Sequence, residues 1–246
     1  MHVYDALIIG CGYASVGYAT AKKNVIICEE RQICDNNFYL PLSSFTYEPY
    51  VPKTDAGVKL KGVFDELGLF DGVTQNVNGF ECAFCKYIVE NPVEVLLKCR
   101  VLSYQKNADG IYDVNVYTNQ GITHIFAKEV LNSVLLPKQK VITVLFTTDD
   151  IKNDKSALLS TFKESEIEPA FYSGRYALRV KVDELDENSA KTFIYEKWQK
   201  LNVKAKIIYI APIFLGEENQ NPLNDANYKN PIKAFESGYF LAMEKL

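Results

Sequence analysis

The sequence predicts an α/β protein in which a parallel sheet is joined to a β-meander and to a small α+β second lobe. Three observations lead to this prediction. The chain opens with an apolar strand, a glycine-rich turn, a helix and a second apolar strand. Alternating segments separated by turn residues begin near residue 93. A further strand, helix and strand lie beyond residue 146, ahead of a closing amphipathic helix.

The opening unit combines two apolar runs with a helix between them. "YDALIIG" is typical of a buried strand, and "NVIICEE" is a second strand that ends in carboxylates. Between them, "YASVGYATAKK" has the small residues and helix formers of a short helix. Strands joined by such a crossover pair in parallel, so the sequence predicts a parallel strand–turn–helix–strand unit.

Helical spacing predicts the next element, and strand alternation predicts those after it. "DAGVKLKGVFDELGLF" is typical of a helix whose apolar positions are Val58, Val63, Phe64 and Leu67. From residue 93 onward, alternating segments separated by "ADG" and "NQG" predict a β-meander followed by a return strand.

The last segment, "NPIKAFESGYFLAMEKL", predicts the closing helix. Asn230 is placed to cap this helix, and Pro231 suits its first position. The apolar residues recur at spacings of three and four and define one face: Ile232, Phe235, Tyr239, Ala242 and Leu246.

Composition narrows the classes of function. The net charge is −4 with acids and bases mixed, which argues against a nucleic-acid surface. No apolar run approaches the roughly 20 residues of a membrane span, and no basic segment precedes the first apolar run, so we expect neither a span nor a signal peptide.

The six dispersed cysteines favour reduced thiols in a cytoplasmic protein. Because only His2 and His124 are present, we expect no metal site, and any difficult chemistry would come from a cofactor.

The turn "GCGYAS" has the composition of a phosphate-binding loop. Gly10 supplies the tight turn, and Gly12 lacks a side chain that would block a phosphate. Ser15 stands where such loops often carry a third glycine, and Gly17 offers a close contact further along the helix. A helix that starts here directs its N-terminus toward an anion, which favours a bound dinucleotide over a purely structural turn.

A carboxylate stands at the distance that a dinucleotide site requires. Glu29 ends the second strand about 20 residues after the loop and could hold the ribose hydroxyls. Glu30 is the adjacent competitor. The alternative for either residue is a solvated acid at the end of a strand.

These segments resemble the FAD-dependent oxidoreductases of the glutathione-reductase-like flavoprotein class. The similarity covers the opening unit, the third strand with its meander and return strand, and the closing helix. It implies a Rossmann-like FAD-binding domain built from residues 1–145 and 221–246. Residues 146–220 would form a small substrate or interaction lobe. The implied activity is a flavin-dependent oxidation or reduction of an unknown small-molecule substrate or electron-transfer partner, with homo-oligomerisation left open.

The resemblance also implies roles for individual positions. Gly10, Gly12 and Ser15 would lie against the FAD pyrophosphate, and Glu29 would bind the adenosine ribose. Val101, which follows the bend after the third strand, would offer its backbone to the adenine.

The closing segment would approach the flavin itself. Asn230, Pro231 and Ile232 would present backbone groups near the flavin pyrimidine, where a helix N-terminus favours the negative charge of reduced flavin. Asp225 is a weaker candidate for the ribitol or phosphate region.

Two departures from the flavoprotein pattern suggest a second interpretation. "RQICDNN" replaces a glycine pair, and "LNSVLLP" replaces a turn that usually carries glycine near Leu135. The alternative is therefore a non-catalytic module that binds FAD or NAD and acts as a regulatory or partner subunit. An NAD-dependent dehydrogenase is a further alternative, but it leaves the meander and the closing helix unexplained.

One cysteine pair provides weak catalytic candidates. Cys82 and Cys85 lie three residues apart in "ECAFCKY", a spacing at which two thiols near a helix start can exchange electrons. The alternatives are two structural thiols on a short helix or half of a zinc site, for which no second pair has matching spacing.

Overall fold

The computed structural model describes residues 2–34, 38, 42, 45–134, 140–215 and 221–244. The strands are β1 (Val3–Tyr4), β2 (Ala6–Ile9), β3 (Val25–Glu29), β4 (Glu94–Leu97), β5 (Arg100–Lys106), β6 (Tyr112–Thr118), β7 (Gly121–Ala127), β8 (Val130–Asn132), β9 (Lys140–Thr147), β10 (Ser165–Pro169), β11 (Arg175–Lys181), β12 (Lys206–Ile210) and β13 (Phe214–Leu215). The α-helices are α1 (Tyr13–Ala21), α2 (Asp55–Glu66), α3 (Phe80–Glu90), α4 (Ile151–Thr161), α5 (Glu187–Gln199) and α6 (Pro231–Glu244).

A four-stranded parallel sheet lies at the centre of the first lobe. Its strand order is β4-β3-β2-β8, and every neighbouring pair is parallel. The strands β2 and β3 are almost continuously apolar because both faces of the sheet are covered. The predicted opening unit β2–α1–β3 is confirmed.

The β-meander covers one face of this sheet. Strands β5, β6 and β7 pair in antiparallel order, and β1 adds to β7 in parallel. Leu7, Ile26 and Cys28 point from the parallel sheet into a core shared with Val114 and Val116 of the meander. The predicted meander and return strand are confirmed, the latter as β8 beside β2.

Helices cover the other face. Ala6, Ile8 and Ile27 contribute to a larger core that includes the side chains of α1, α2, α3 and α6. The first lobe therefore has three layers, in which the parallel sheet separates the meander from the helices.

The remaining strands form the second lobe. Strand β9 lies between β11 and β12, β10 pairs outside β11, and β13 pairs with β9; all these pairs are antiparallel. Helices α4 and α5 pack on one face of this sheet, around Phe146 and Trp198. Leu145 and Ala177 on the opposite face join the helical core of the first lobe.

Helices α1 and α6 touch through their backbones. A Cβ added to Gly17 would lie 2.7 Å from the carbonyl carbon of Phe235, and one added to Gly238 would lie 2.6 Å from that of Ala14. The two glycines thus allow a helix contact that no other residue type permits, and this contact positions the start of α1 against the segment that precedes α6.

The predicted start and apolar face of α6 are confirmed, whereas part of the predicted apolar face of α2 is not. Asn230 caps α6, and Pro231 is its first residue. In α2 the buried residues include Leu60, Val63 and Phe64, whereas Val58 and Leu67 are exposed, so those two predictions were wrong. Gly57, Leu60 and Phe64 share the buried face of α2, which leaves Val58 on the solvent side, and Leu67 follows the last helical residue. Two positions named from the sequence lie outside the described residues: Leu135 and Leu246.

Candidate functional site

The turn after β2 is built around Gly10. Its φ of +95° is a conformation that favours glycine, and its amide donates to the Cys28 carbonyl at 2.8 Å. A Cβ at this position would lie 2.5 Å from Ser133 Oγ, at the end of β8. Ser133 in turn donates to the carbonyls of Ile9 and Gly10. The loop is therefore fixed by both neighbouring strands.

Glu29 braces the same loop from the end of β3. Its buried carboxylate accepts from the Cys11 amide at 2.8 Å and from the Arg31 amide at 2.9 Å. Glu30, by contrast, is exposed and pairs with Arg100 at 3.5 Å. Of the two predicted acids, Glu29 is the one that lies at the glycine loop.

The N-terminus of α1 binds a carboxylate from a distant part of the chain. The amide of Tyr13 donates to Asp225 Oδ2 at 2.7 Å, and the amide of Ala14 donates to Asp225 Oδ1 at 2.9 Å. Gly12 precedes the helix, and a Cβ on it would lie 2.8 Å from Asp225 Cγ. We call Gly12 and these two amides the anion cradle.

Burial governs the protonation of Asp225. Its side chain is 1% exposed, and loss of solvent raises its pKa to about 7, although the amides of Ala14 and Tyr13 act in the opposite direction. The neighbouring thiol of Cys11 is also buried, and its pKa is raised first by burial, then by Cys34, and to a lesser extent by Glu29 and Asp225. The site thus holds acidic groups in a poorly solvated environment.

Ser15 is the third residue of α1 and is fully buried. Among the described residues its hydroxyl finds no hydrogen-bond partner. A buried hydroxyl without a partner is uncommon in folded proteins. The small side chain of Ser15 therefore carries a hydrogen-bond donor and acceptor that the described residues do not use.

The residues of the loop fit a diphosphate in their chemistry. Two adjacent amides at a helix N-terminus form an anion site, and the absence of a side chain at Gly12 leaves room beside them. Asp225 demonstrates this chemistry, because each of its carboxylate oxygens accepts a hydrogen bond from one of these amides. A diphosphate on the same amides requires Asp225 to give up these bonds.

The residues predicted near the flavin form the start of α6. Asn230 Oδ1 accepts from the amides of Ile232 at 2.8 Å and Lys233 at 3.2 Å, and Asn230 Nδ2 donates to the Glu48 carbonyl. Lys233 also pairs with Glu48 at 2.9 Å. Asn230, Pro231 and Ile232 are all buried, so the start of this helix lies inside the protein.

The other predicted site residues belong to β5 and α3. Val101 belongs to β5 and pairs with Val116 of β6. Cys82 and Cys85 are exposed cysteines near the start of α3. Within the described ranges, no group of three or more histidine, cysteine or acidic side chains could hold a metal ion. No described helix has the length and hydropathy of a membrane span.

The sequence indicates Asp225 less strongly than the loop residues as a cofactor ligand. In the structure, however, its side chain contacts the N-terminus of α1 directly. The contact joins residues 211 and 212 positions apart, so no local pattern could indicate it. Glu236 was not predicted at all. Its partners Tyr50, Lys53 and Thr54 lie more than 180 positions away in the chain, so no local pattern could indicate it.

Comparisons with known proteins identify the fold. No protein-family model matches the chain, and no curated protein matches it in sequence. Among solved structures, the chain is similar to p-nitrophenol 4-monooxygenase from Pseudomonas putida, with a TM-score of 0.53 and 11% identity. That match covers 85% of this chain and 66% of the monooxygenase.

Two further structures give the same result. A ternary complex of aklavinone-11 hydroxylase with FAD and aklavinone matches 100% of this chain and 63% of the hydroxylase, with a TM-score of 0.57 and 13% identity. A geranylgeranyl bacteriochlorophyll reductase-like protein from Thermoplasma acidophilum matches 99% of this chain and 78% of its own, with a TM-score of 0.54 and 14% identity. The chain therefore spans less than two thirds of the two oxygenases, and it has the Rossmann-type flavoprotein fold that these proteins share.

Proposed function

We propose that the protein is a flavin-dependent oxidoreductase that binds FAD through its N-terminal loop and acts on a small molecule. The observation that carries the proposal is the anion cradle, where two amides of α1 converge on a carboxylate. The fold supports it, because the similar hydroxylase was solved with both FAD and aklavinone bound. FAD would supply the hydride chemistry at its flavin ring.

Individual residues have distinct roles in this proposal. The amides of Tyr13 and Ala14 bind the diphosphate, Gly10 and Gly12 allow its approach, and Ser15 offers its hydroxyl nearby. Glu29 binds the adenosine ribose. Each oxygen of Glu29 already accepts one amide, but a carboxylate has about four acceptor sites, so ribose hydroxyls can be added without breaking those bonds.

The proposal also assigns the domain boundaries and the remaining cofactor contacts. Residues 1–145 and 221–246 form the FAD-binding domain, and residues 146–220 form the substrate or interaction lobe. Val101 lies toward the adenine, and the start of α6 lies toward the flavin. The glutathione-reductase-like subclass and a cytoplasmic location stay predictions, as do the weak electron-exchange roles of Cys82 and Cys85.

A second candidate function is favoured by one specific contact. Asp225 fills the anion cradle with a carboxylate from the same chain, which is the arrangement expected if the loop has become structural. The protein would then be a non-catalytic module that acts as a regulatory or partner subunit.

A visible absorbance spectrum separates the two candidates. We expect protein incubated with FAD and then desalted to keep a yellow flavin band in a fixed ratio to protein. Incubation with NAD followed by the same desalting is the control for nonspecific dinucleotide binding. Protein that emerges colourless at every FAD concentration contradicts the oxidoreductase proposal and favours the non-catalytic module.

A further inference from the structure

We propose that Cys28 and Cys99 form a reversible disulfide when the protein meets hydrogen peroxide, with Cys99 as the attacking thiol and Cys28 as the resolving one. The reaction needs no bound FAD, so it is independent of the proposed function. It would give a modification site to two side chains that lie far apart in the sequence and that the proposed function does not use.

The fold brings these two side chains together. Cys28 lies in β3 and Cys99 immediately precedes β5, and both are buried in the core between the parallel sheet and the meander. The Cys99 amide donates to the carbonyl of Glu29, the residue after Cys28, at 2.9 Å. Chains bonded in this way lie about 4.7–4.9 Å apart, and a disulfide requires Cα atoms about 4.4–6.8 Å apart. The backbone spacing therefore suits a disulfide.

The contact between the two thiols gives them different reactivity. The Cys28 thiol donates a hydrogen bond to the sulfur of Cys99. This bond lowers the pKa of Cys99, although burial acts in the opposite direction, and the same bond together with burial raises the pKa of Cys28. Oxidants react with the thiolate rather than the thiol, so Cys99 is the sulfur that attacks.

The attacking thiol lies beside an exposed turn. Cys99 itself is 1% exposed, whereas Leu97, Lys98 and Arg100 around it are exposed. Lys98 has a φ of +54°, in the left-handed region that residues other than glycine adopt at a cost. A local opening of this turn between β4 and β5 admits a peroxide molecule to Cys99.

The proposed reaction has two steps. The Cys99 thiolate attacks one oxygen of hydrogen peroxide, the O–O bond breaks, and the products are a sulfenic acid on Cys99 and, after proton uptake, water. The Cys28 sulfur then attacks the Cys99 sulfur and expels hydroxide, which takes the Cys28 proton and leaves as a second water. Two electrons pass from the two thiols to the peroxide, and a dithiol reductant reverses the change by thiol–disulfide exchange.

A second pair of buried thiols provides an internal comparison. Cys11 and Cys34 are also hydrogen-bonded to each other and almost fully buried. Burial raises the pKa of Cys11, and Cys34 and the carboxylates of Glu29 and Asp225 raise it further. A thiol that is disfavoured as an anion is a poor nucleophile, so we expect this pair to stay reduced under conditions that oxidise Cys99.

Peptide mass mapping of the whole chain tests the proposal. Folded protein is treated with increasing hydrogen peroxide until the exposed Cys82 is oxidised, and the remaining thiols are then alkylated under denaturing conditions. We expect a linked pair of peptides joining Cys28 to Cys99, two hydrogens lighter than the separate peptides, which dithiothreitol separates. Cys11 and Cys34 should both carry the alkylating group.

Two variants test the order of attack. Cys28→Ser keeps a hydrogen-bond donor beside Cys99 but lacks the resolving thiol, so oxidation should stop at a sulfenic acid on Cys99 that dimedone labels. Cys99→Ser removes the attacking thiol and should leave Cys28 unlabelled. Labelling of Cys28 in Cys99→Ser that matches the labelling of Cys99 in Cys28→Ser overturns the assigned roles.

Three results with the wild-type protein overturn the disulfide itself. The first is full alkylation of Cys28 and Cys99 at the peroxide concentration that oxidises Cys82. The second is a Cys28–Cys99 link that forms in urea but not in the folded protein, and the third is a Cys11–Cys34 link that forms at lower peroxide. Because the wild-type map needs no substitution, it decides the matter even if a variant folds poorly.

Discussion

Gly17→Ala is expected to destabilise the protein by about 3 kcal/mol, the upper end of the usual cost of inserting a methyl group into a packed interior. The new methyl would meet the backbone carbonyl of Phe235, and a backbone atom cannot rotate away as a side chain can. Helices α1 and α6 would have to separate, which would also disturb the partner contact at Gly238. Equilibrium unfolding in urea measures the change.

A second glycine provides the matched control. Gly62 lies in α2, is exposed and has no atom within 4 Å of an added Cβ. Gly62→Ala should therefore stabilise the protein by about 0.5–1 kcal/mol, because alanine loses less backbone entropy in a helix. If Gly17→Ala were as stable as wild type, the backbone contact between α1 and α6 would be wrong.

Glu236→Ala is expected to destabilise the protein by about 3–5 kcal/mol, because it leaves several donors without an acceptor and each such loss costs about 1–3 kcal/mol. The carboxylate is fully buried in α6. It accepts from Tyr50 Oη at 2.7 Å, from the Lys53 amide at 2.8 Å, and from both the amide and the hydroxyl of Thr54 at 2.7 Å. Alanine leaves these donors without an acceptor at the start of α2.

Two further substitutions test whether the buried carboxylate itself is responsible for the loss of stability. Glu236→Gln keeps one acceptor oxygen and should lose less stability than Glu236→Ala. Glu244→Ala removes an exposed acid from the same helix and should change the free energy of unfolding by less than about 0.5 kcal/mol. Equal effects of Glu236→Ala and Glu244→Ala would contradict the buried network.

The parts of the fold that the sequence predicted have strong local signals. Strands β2 and β3 are continuous apolar runs with glycine between them, and α6 has both a capping residue and an apolar face. Helix α4 has none of these signals: only Asp154 and Leu158 are buried, so its periodicity is weak. Its position is set by the second-lobe sheet.

The sequence predicts only those site residues whose positions follow from local patterns along the chain. Gly10, Gly12 and Glu29 stand at spacings that a single βαβ unit dictates, and the structure brings them together. The contacts of Asp225 and Glu236 depend on how α6 packs across α1 and α2, which is a tertiary property. Val58 is exposed because α2 packs on the helical core through Leu60, Val63 and Phe64, and the spacing of its apolar residues alone does not reveal that choice of face.

The central claim is that the amides of Tyr13 and Ala14 hold the diphosphate of FAD. Heteronuclear NMR of isotope-labelled protein, recorded as FAD is added, tests this claim most directly. We predict that the Tyr13 and Ala14 amide resonances shift to saturation as FAD is added. Saturable FAD binding that leaves both amide resonances unchanged would contradict the account.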